Sequence, residues 1–145
     1  MTADTSQLKS LVKTTIDSAE GYRQAADNAE SNALKQVLND AAAKRRQLVD
    51  MLNGELQRLG EDRQEDGSVA GSIHHTWVSI TSAFADNDEA AVDRVEEGED
   101  YLKGQFEDAL KDQGWQPETR NVLQRAYGEV SEGERLADRL KQAYD

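Results

Sequence analysis

Two charged side chains interrupt apolar stripes that otherwise repeat at helical spacing. Arg45 falls at the centre of the stripe in residues 32–59, and Glu99 falls at the centre of the stripe in residues 88–112. A charge on the apolar face of a helix is costly unless it is paired. Both residues lie at similar depths in their helices, and a long side chain leans toward the N-terminus of its helix. The pattern therefore predicts a buried ion pair between Arg45 and Glu99.

Three further carboxylates are predicted at the same level, on the flanks of their stripes, namely Glu20, Glu96 and Glu134. Gly133 is predicted to face inward at this depth and to leave room. Carboxylates from several helices are the ligands of di-iron and di-manganese bundles. An Fe or Mn site made of Glu20, Glu96, Glu99 and Glu134 is therefore an alternative to the ion pair.

The residue types favour the ion pair over the metal centre. Metal centres in such bundles also use Glu-x-x-His pairs, and the sequence contains none. Arg45 places a positive charge where a cation would bind. The leading expectation is therefore no resident cofactor, with Glu20, Glu96 and Glu134 as half-exposed acids.

The cluster of His74, His75 and Trp77 is a candidate partner surface, because Trp is enriched at interfaces. Adjacent helical residues point about 100° apart, so the two imidazoles do not easily share one metal. The interpretation that the residue types favour is that one histidine makes a packed polar contact, the other is exposed, and Trp77 packs against the bundle. No Gly-rich phosphate loop, nucleophile elbow or Ser/His/Asp arrangement is present, and the chain is not predicted to be an enzyme.

These residues must be positioned by helices. Leu, Ile, Val and Phe make up only 27 of the 145 residues, a composition that leans toward disorder, but helical periodicity runs through nearly the whole chain. Gly60 fits a helix C-terminus and Pro117 a first helical position. The sequence predicts one all-α domain over residues 1–145, with helices at about 5–29, 32–59, 68–85, 88–112 and 117–143.

Loop lengths predict the topology. Short loops make residues 5–59 one antiparallel hairpin and residues 88–143 another, and the helix at 68–85 is long enough to carry the chain between the ends of the bundle. Two hairpins joined by a long crossover is the ferritin-like four-helix arrangement, and a plain up-down five-helix bundle is the alternative. We expect the helix at 88–112 beside 32–59, and the helix at 117–143 beside 5–29.

Charge and hydropathy exclude several classes of function. The chain carries 29 acidic and 17 basic residues, a net charge of −12, which argues against nucleic-acid binding. No apolar run approaches a membrane span, and residues 1–10 lack an apolar signal region, so a cytoplasmic location is expected. Val78, Tyr101 and Trp115 fall outside the main stripes as exposed residues or as part of a dimer surface. If the chain forms a homo-oligomer, a symmetric dimer is expected.

Three segments resemble a bacterial family of ferritin-like four-helix-bundle domains of unknown function, found mostly in Proteobacteria. They are EGYRQAA at 20–26, GSVAGSIHHTW at 67–77 and EGED at 97–100. The resemblance implies a ferritin-like cytoplasmic bundle with no established reaction. It draws attention to Glu20, Tyr22, Arg45, His74, Trp77, Glu99 and Asp100. We expect a non-enzymatic binding or structural protein with an unknown protein partner. A role in stress physiology is expected by analogy alone. The alternative is a carboxylate-bridged Fe or Mn oxidase or an iron-handling protein.

Overall fold

The protein is described by a computed structural model that covers residues 5–67 and 87–144. Four helices lie within these residues: α1 (Thr5–Asn28), α2 (Asn32–Arg58), α3 (Asp88–Lys111) and α4 (Pro117–Tyr144). Each begins at its predicted first residue and ends within one residue of its predicted end. The described part of the chain is all-helical, as expected. The helix predicted at 68–85, with His74, His75 and Trp77, lies outside the described residues.

Local signals in the sequence set the helix ends. The Ser31 side chain accepts a hydrogen bond of 3.2 Å from the main-chain N–H of Leu34. The Asn87 side chain accepts one of 2.6 Å from the main-chain N–H of Ala90. Both are N-caps, which satisfy an otherwise unpaired N–H at the start of a helix. Gly60, just after α2, has a φ of +84°, a conformation that glycine adopts without strain.

Each described helix of the bundle runs antiparallel to both of its neighbours. α1 packs against α2 and α3, and α4 packs against α3 and α2. The Asp88 carboxylate at the start of α3 accepts hydrogen bonds from the main-chain N–H groups of Glu30 and Ser31, at 3.1 and 3.0 Å. At the opposite end, Thr119 of α4 donates to Glu55 of α2 at 2.5 Å. The helices that run in the same direction, α2 with α3 and α1 with α4, are therefore diagonal.

The predicted side-by-side placement of 88–112 with 32–59, and of 117–143 with 5–29, is therefore wrong. Loop length fixes the direction of each helix but not which helices of the two hairpins face each other. The observed arrangement opposes the helix dipoles of every neighbouring pair, whereas the predicted one would align two pairs.

The hydrophobic core is divided by the level of Arg45 and Glu99. One cluster is rich in alanine and includes Ala25, Ala26, Leu38, Ala42, Ala91 and Val95. The other is rich in large side chains and includes Leu8, Leu11, Leu52, Leu56, Leu102, Phe106 and Leu123. Each large aliphatic side chain buried in this way stabilises the fold by about 1.5–3 kcal/mol.

The segment after α2 folds back along the first hairpin. The buried Asn53 side chain donates to the Gln64 carbonyl at 3.0 Å and accepts from the Gln64 N–H at 2.8 Å. Arg63 contacts Asp50 at 3.1 Å, and Gly67 lies against Asp17. These contacts fix the path of residues 61–67. Among the described residues, no helix has the length and hydrophobicity needed to cross a membrane.

Candidate functional site

The buried polar layer at the centre of the bundle is built around Arg45 and Glu99. Nη2 of Arg45 lies 2.5 Å from Oε2 of Glu99, and the two residues are 4% and 0% exposed. Their helices, α2 and α3, face each other across the diagonal, so the long arginine side chain crosses the middle of the bundle. The structure thus brings together the two charges that interrupt the stripes, although the helices that carry them are not neighbours.

Gly133 of α4 closes the layer from a third helix. A Cβ atom at this position would collide with Arg45 Nη2 and with Glu99 Oε2. The glycine is therefore required by the ion pair rather than by backbone conformation, since its φ is not positive. The structure places Gly133 facing inward at the level of the pair, as the stripe positions predict.

Tyr22 of α1 completes the layer from the fourth helix. Its ring centroid lies 5.8 Å from the Arg45 guanidinium carbon, within the range of a cation–π interaction. Its hydroxyl hydrogen-bonds the Glu99 carboxyl, and burial raises the pKa of Tyr22 well above its ordinary value, so the hydroxyl remains a donor. Burial also raises the pKa of Glu99, opposed by the Arg45 charge and by the Tyr22 hydrogen bond.

Some polar atoms of this layer have no hydrogen-bond partner in the described part of the chain. These are Nη1 of Arg45, Oε1 of Glu99 and, one helical turn before Tyr22, Oγ of Ser18. Buried donors and acceptors are nearly always paired, so each unpaired atom needs an explanation. The unpaired atoms show that the ion pair does not use the full hydrogen-bonding capacity of its members.

A cavity of about 250 Å³ lies between α2 and α4, beside this layer. Arg45, Tyr22 and Gly133 form part of its wall. The remaining wall is formed by four aliphatic and five charged side chains. These are Val37, Ala41, Leu48 and Leu136, with Asp40, Lys44, Glu129, Glu132 and Arg139. We call this space the α2–α4 cavity.

The four predicted metal ligands are not brought together. Glu20 is exposed and pairs with Arg23 on the outer face of α1. Glu96 lies 3.2 Å from Lys141 and Glu134 lies 3.1 Å from Lys103, which leaves Glu99 as the buried member of the four. Within residues 5–67 and 87–144, no three His, Asp or Glu side chains form a group that could hold a metal ion. The described residues therefore do not fit a carboxylate-bridged metal centre.

A repeated charge pattern joins α3 to α4 on the outer side of that hairpin. The spacing Glu-x-x-x-Asp-x-x-Lys occurs once on each helix, and because the helices are antiparallel, each lysine contacts the glutamate of the other copy. The carboxyl groups between the lysines are also in hydrogen-bond contact across the interface. The residues are Glu96, Asp100 and Lys103 on α3, and Glu134, Asp138 and Lys141 on α4.

Asp100 is the most perturbed carboxyl of this pattern. Partial burial, the hydrogen bond with Glu134, and the charges of Glu134, Glu96 and Asp138 raise its pKa to about 6. This arrangement was not predicted from the sequence, although the identical spacing on two helices of one hairpin was a usable signal.

Trp115 is buried in the leucine-rich cluster, and its Nε1 donates to the Ala109 carbonyl at 2.7 Å. The prediction that Trp115 is exposed or part of a dimer surface is therefore wrong. It lies in the α3–α4 connection, where helical periodicity no longer reports which side faces the core. Tyr101 is half-buried.

A family model described as a domain of unknown function (DUF2383) matches residues 4–112, three quarters of the chain. The match includes Tyr22, Arg45 and Glu99 and excludes Gly133. No curated protein and no solved structure matches the chain.

Proposed function

We propose that the chain, which belongs to the family described as a domain of unknown function (DUF2383), is a non-enzymatic ferritin-like helical bundle that binds a ligand or a protein partner. The observation that carries the proposal is the Arg45–Glu99 pair. Bundles that hold two metals place carboxylates from all four helices in the centre. In this chain a guanidinium lies 2.5 Å from Glu99, the central carboxylate among the residues that the structure describes.

Electrostatics support this assignment. A divalent cation at Glu99 would have to approach the Arg45 charge in a site shielded from solvent, where like charges repel strongly. The other carboxylates that could assist it, Glu96 and Glu134, each contact a lysine. Binding of Fe or Mn would therefore require the ion pair and two outer pairs to be broken.

The ferritin-like part of the proposal is supported by two antiparallel hairpins whose adjacent helices all run in opposite directions. The crossover helix at 68–85 remains a prediction, as do the bacterial origin, the cytoplasmic location and the symmetric dimer. The proposed protein partner would contact His74, His75 and Trp77, and replacing Trp77 by Ala should then weaken its binding.

Metal content is the measurement that tests the proposal. The purified protein is loaded anaerobically with Fe(II) or Mn(II), desalted and analysed for metal, together with Glu99→Gln and with Glu97→Gln. Glu97 is an exposed residue on the same helix and serves as the matched control. We expect less than about 0.1 metal per chain in all three proteins, because the ligand set of di-metal bundles is missing. Retention of about two metals per chain, lost in Glu99→Gln and kept in Glu97→Gln, would overturn the proposal.

A further inference from the structure

The α2–α4 cavity has the make-up of a small-ligand site. Ligand sites are concave and mostly apolar, with a few polar groups that fix orientation. Here the aliphatic side chains of Val37, Ala41, Leu48 and Leu136 share the wall with charged side chains, of which the Arg45 guanidinium is the buried one. The cavity volume of about 250 Å³ is close to the lower end of the range of roughly 300–1,000 Å³ found for ligand pockets. The cavity therefore has room for a small organic molecule.

Arg45 supplies the recognition chemistry. A guanidinium has five N–H donors, and in the described structure Arg45 gives a hydrogen bond to Glu99 only. Its Nη1 is buried and has no partner. Gly133 lies directly over the pair, and both it and Arg45 line the cavity. Nη1 has almost no accessible surface, so an acceptor oxygen in the cavity would pair with this otherwise unsatisfied donor after a small shift of the guanidinium.

The donor geometry of Arg45 favours a carboxylate as that acceptor, since the cavity wall carries three acidic and three basic side chains and the balance of charge favours neither sign. Lys44 and Arg139 line it from α2 and α4. Of the three acids that also line it, Glu132 pairs with Arg135 at 2.7 Å. The planar fork of arginine N–H donors matches the two oxygens of a carboxylate. An ammonium group has no acceptor atom to offer Arg45.

We propose that the α2–α4 cavity binds a small monocarboxylate with an aliphatic body. Its carboxylate accepts from Arg45 beside Gly133, and its hydrocarbon body lies along Val37, Ala41 and Leu136. The inference rests on the proposed binding function and names the chemical class of the ligand. The same guanidinium thus pairs with a resident carboxylate, Glu99, and with the carboxylate of the ligand.

Hexanoate, with eight non-hydrogen atoms, is the probe that tests the inference. It is titrated into the isotopically labelled full chain, and amide chemical shifts are recorded. Hexanamide and hexylammonium have the same chain length without the negative charge. We expect saturable shifts at Gly133, Ala41 and Leu136 with hexanoate, and binding at least ten-fold weaker with either analogue.

Two matched variants locate the site. Ala41→Leu extends a side chain into the cavity and should weaken hexanoate binding at least ten-fold. Ala43→Leu makes the same change at an exposed position of α2 that does not line the cavity, and should leave binding unchanged. Thermal unfolding of both variants checks that they are folded. If Ala41→Leu does not fold, the comparison of hexanoate with its two analogues on the unaltered protein decides the matter.

Three results would overturn the inference. They are the absence of saturable shifts, equal binding of hexanoate and hexylammonium, and unchanged binding in a folded Ala41→Leu. Saturable shifts at an interface between two copies or on the outer helix faces would equally assign the ligand elsewhere. These failures are distinct from failure of the proposed function, because metal retention is measured without hexanoate and its outcome does not depend on Ala41.

Discussion

Removal of Arg45 should destabilise the protein far more than removal of an ordinary surface charge. Arg45→Ala leaves the Glu99 carboxylate buried, with the Tyr22 hydroxyl as its remaining hydrogen-bond donor among the described residues. Breaking a buried ion pair by deleting one partner costs about 3–5 kcal/mol. Typical domains unfold with about 5–15 kcal/mol in total, so the variant should lose a large fraction of its stability.

The expected change in melting temperature follows from the chain length of 145 residues. An unfolding entropy of about 2.1 cal/mol/K per residue gives about 0.3 kcal/mol/K for the whole chain. A loss of about 3–5 kcal/mol therefore lowers the melting temperature by roughly 10–16 °C. Differential scanning calorimetry at pH 7 measures this shift directly. The exposed residue Arg46 provides the matched control, and Arg46→Ala should shift the midpoint by no more than about 2 °C.

The double variant Arg45→Met, Glu99→Leu separates a lost ion pair from a lost side-chain volume. It removes both charges and keeps hydrophobic bulk, so its melting temperature should return to within a few degrees of the original or exceed it. Burial raises the pKa of Glu99, and in Arg45→Ala the opposing charge is gone. Part of the lost stability should therefore return as the pH falls and Glu99 takes up a proton. An Arg45→Ala protein that melts like the original at pH 7 would refute the reasoning.

Three further predictions follow from other contacts. Gly133→Ala should lower the free energy of unfolding in urea by about 1–3 kcal/mol, because the added Cβ meets the ion pair. Gly128→Ala has open space around its added Cβ and should stabilise α4. Equal effects of the two substitutions would contradict this reasoning. In the folded protein the pKa of Asp100 is raised to about 6. The charged Asp100 carboxylate therefore destabilises the fold in full above pH 6, and this destabilisation fades as the pH falls toward the ordinary pKa of aspartate. The urea midpoint should rise between pH 7 and pH 5, and Asp100→Asn should abolish most of that rise; an unchanged slope in the variant would count against the contact with Glu134. Asn53→Ala should lower the free energy of unfolding by about 1–3 kcal/mol and should expose the Gln64 backbone amide to hydrogen exchange. Continued protection of that amide would mean that other contacts hold residues 61–67 in place.

The helix ends were predictable because they depend on local chemistry. Ser31, Asn87 and Pro117 act within a few residues of their own positions, so a single sequence contains the necessary information. The pairing of Arg45 with Glu99 was predictable for a related reason, since a charge inside an apolar stripe needs a partner and only one opposite charge was central. In both cases the physical requirement is visible without knowing how the helices pack.

The rest of the site depends on the packing of one helix against another. Glu20 lies on the outer face of α1, which periodicity alone did not separate from the flank of its stripe. The contact between Asp100 and Glu134 requires the register of α3 against α4, and the cavity requires the distance between α2 and α4. Tyr22 was highlighted only by the family resemblance, and its hydrogen bond with Glu99 follows only when α1 and α3 are adjacent.

Gly133 makes three positions on three helices depend on one another. A larger residue at position 133 fits the fold only if the side chains at positions 45 and 99 become smaller or move. With a smaller apolar pair at positions 45 and 99, alanine would fit at position 133. That exchange would add about 0.8–1.0 kcal/mol of helix propensity. Sequence drift at these positions should therefore occur by joint replacement rather than one residue at a time. A redesigned bundle that replaces all three together should be more stable, at the cost of the guanidinium that faces the cavity.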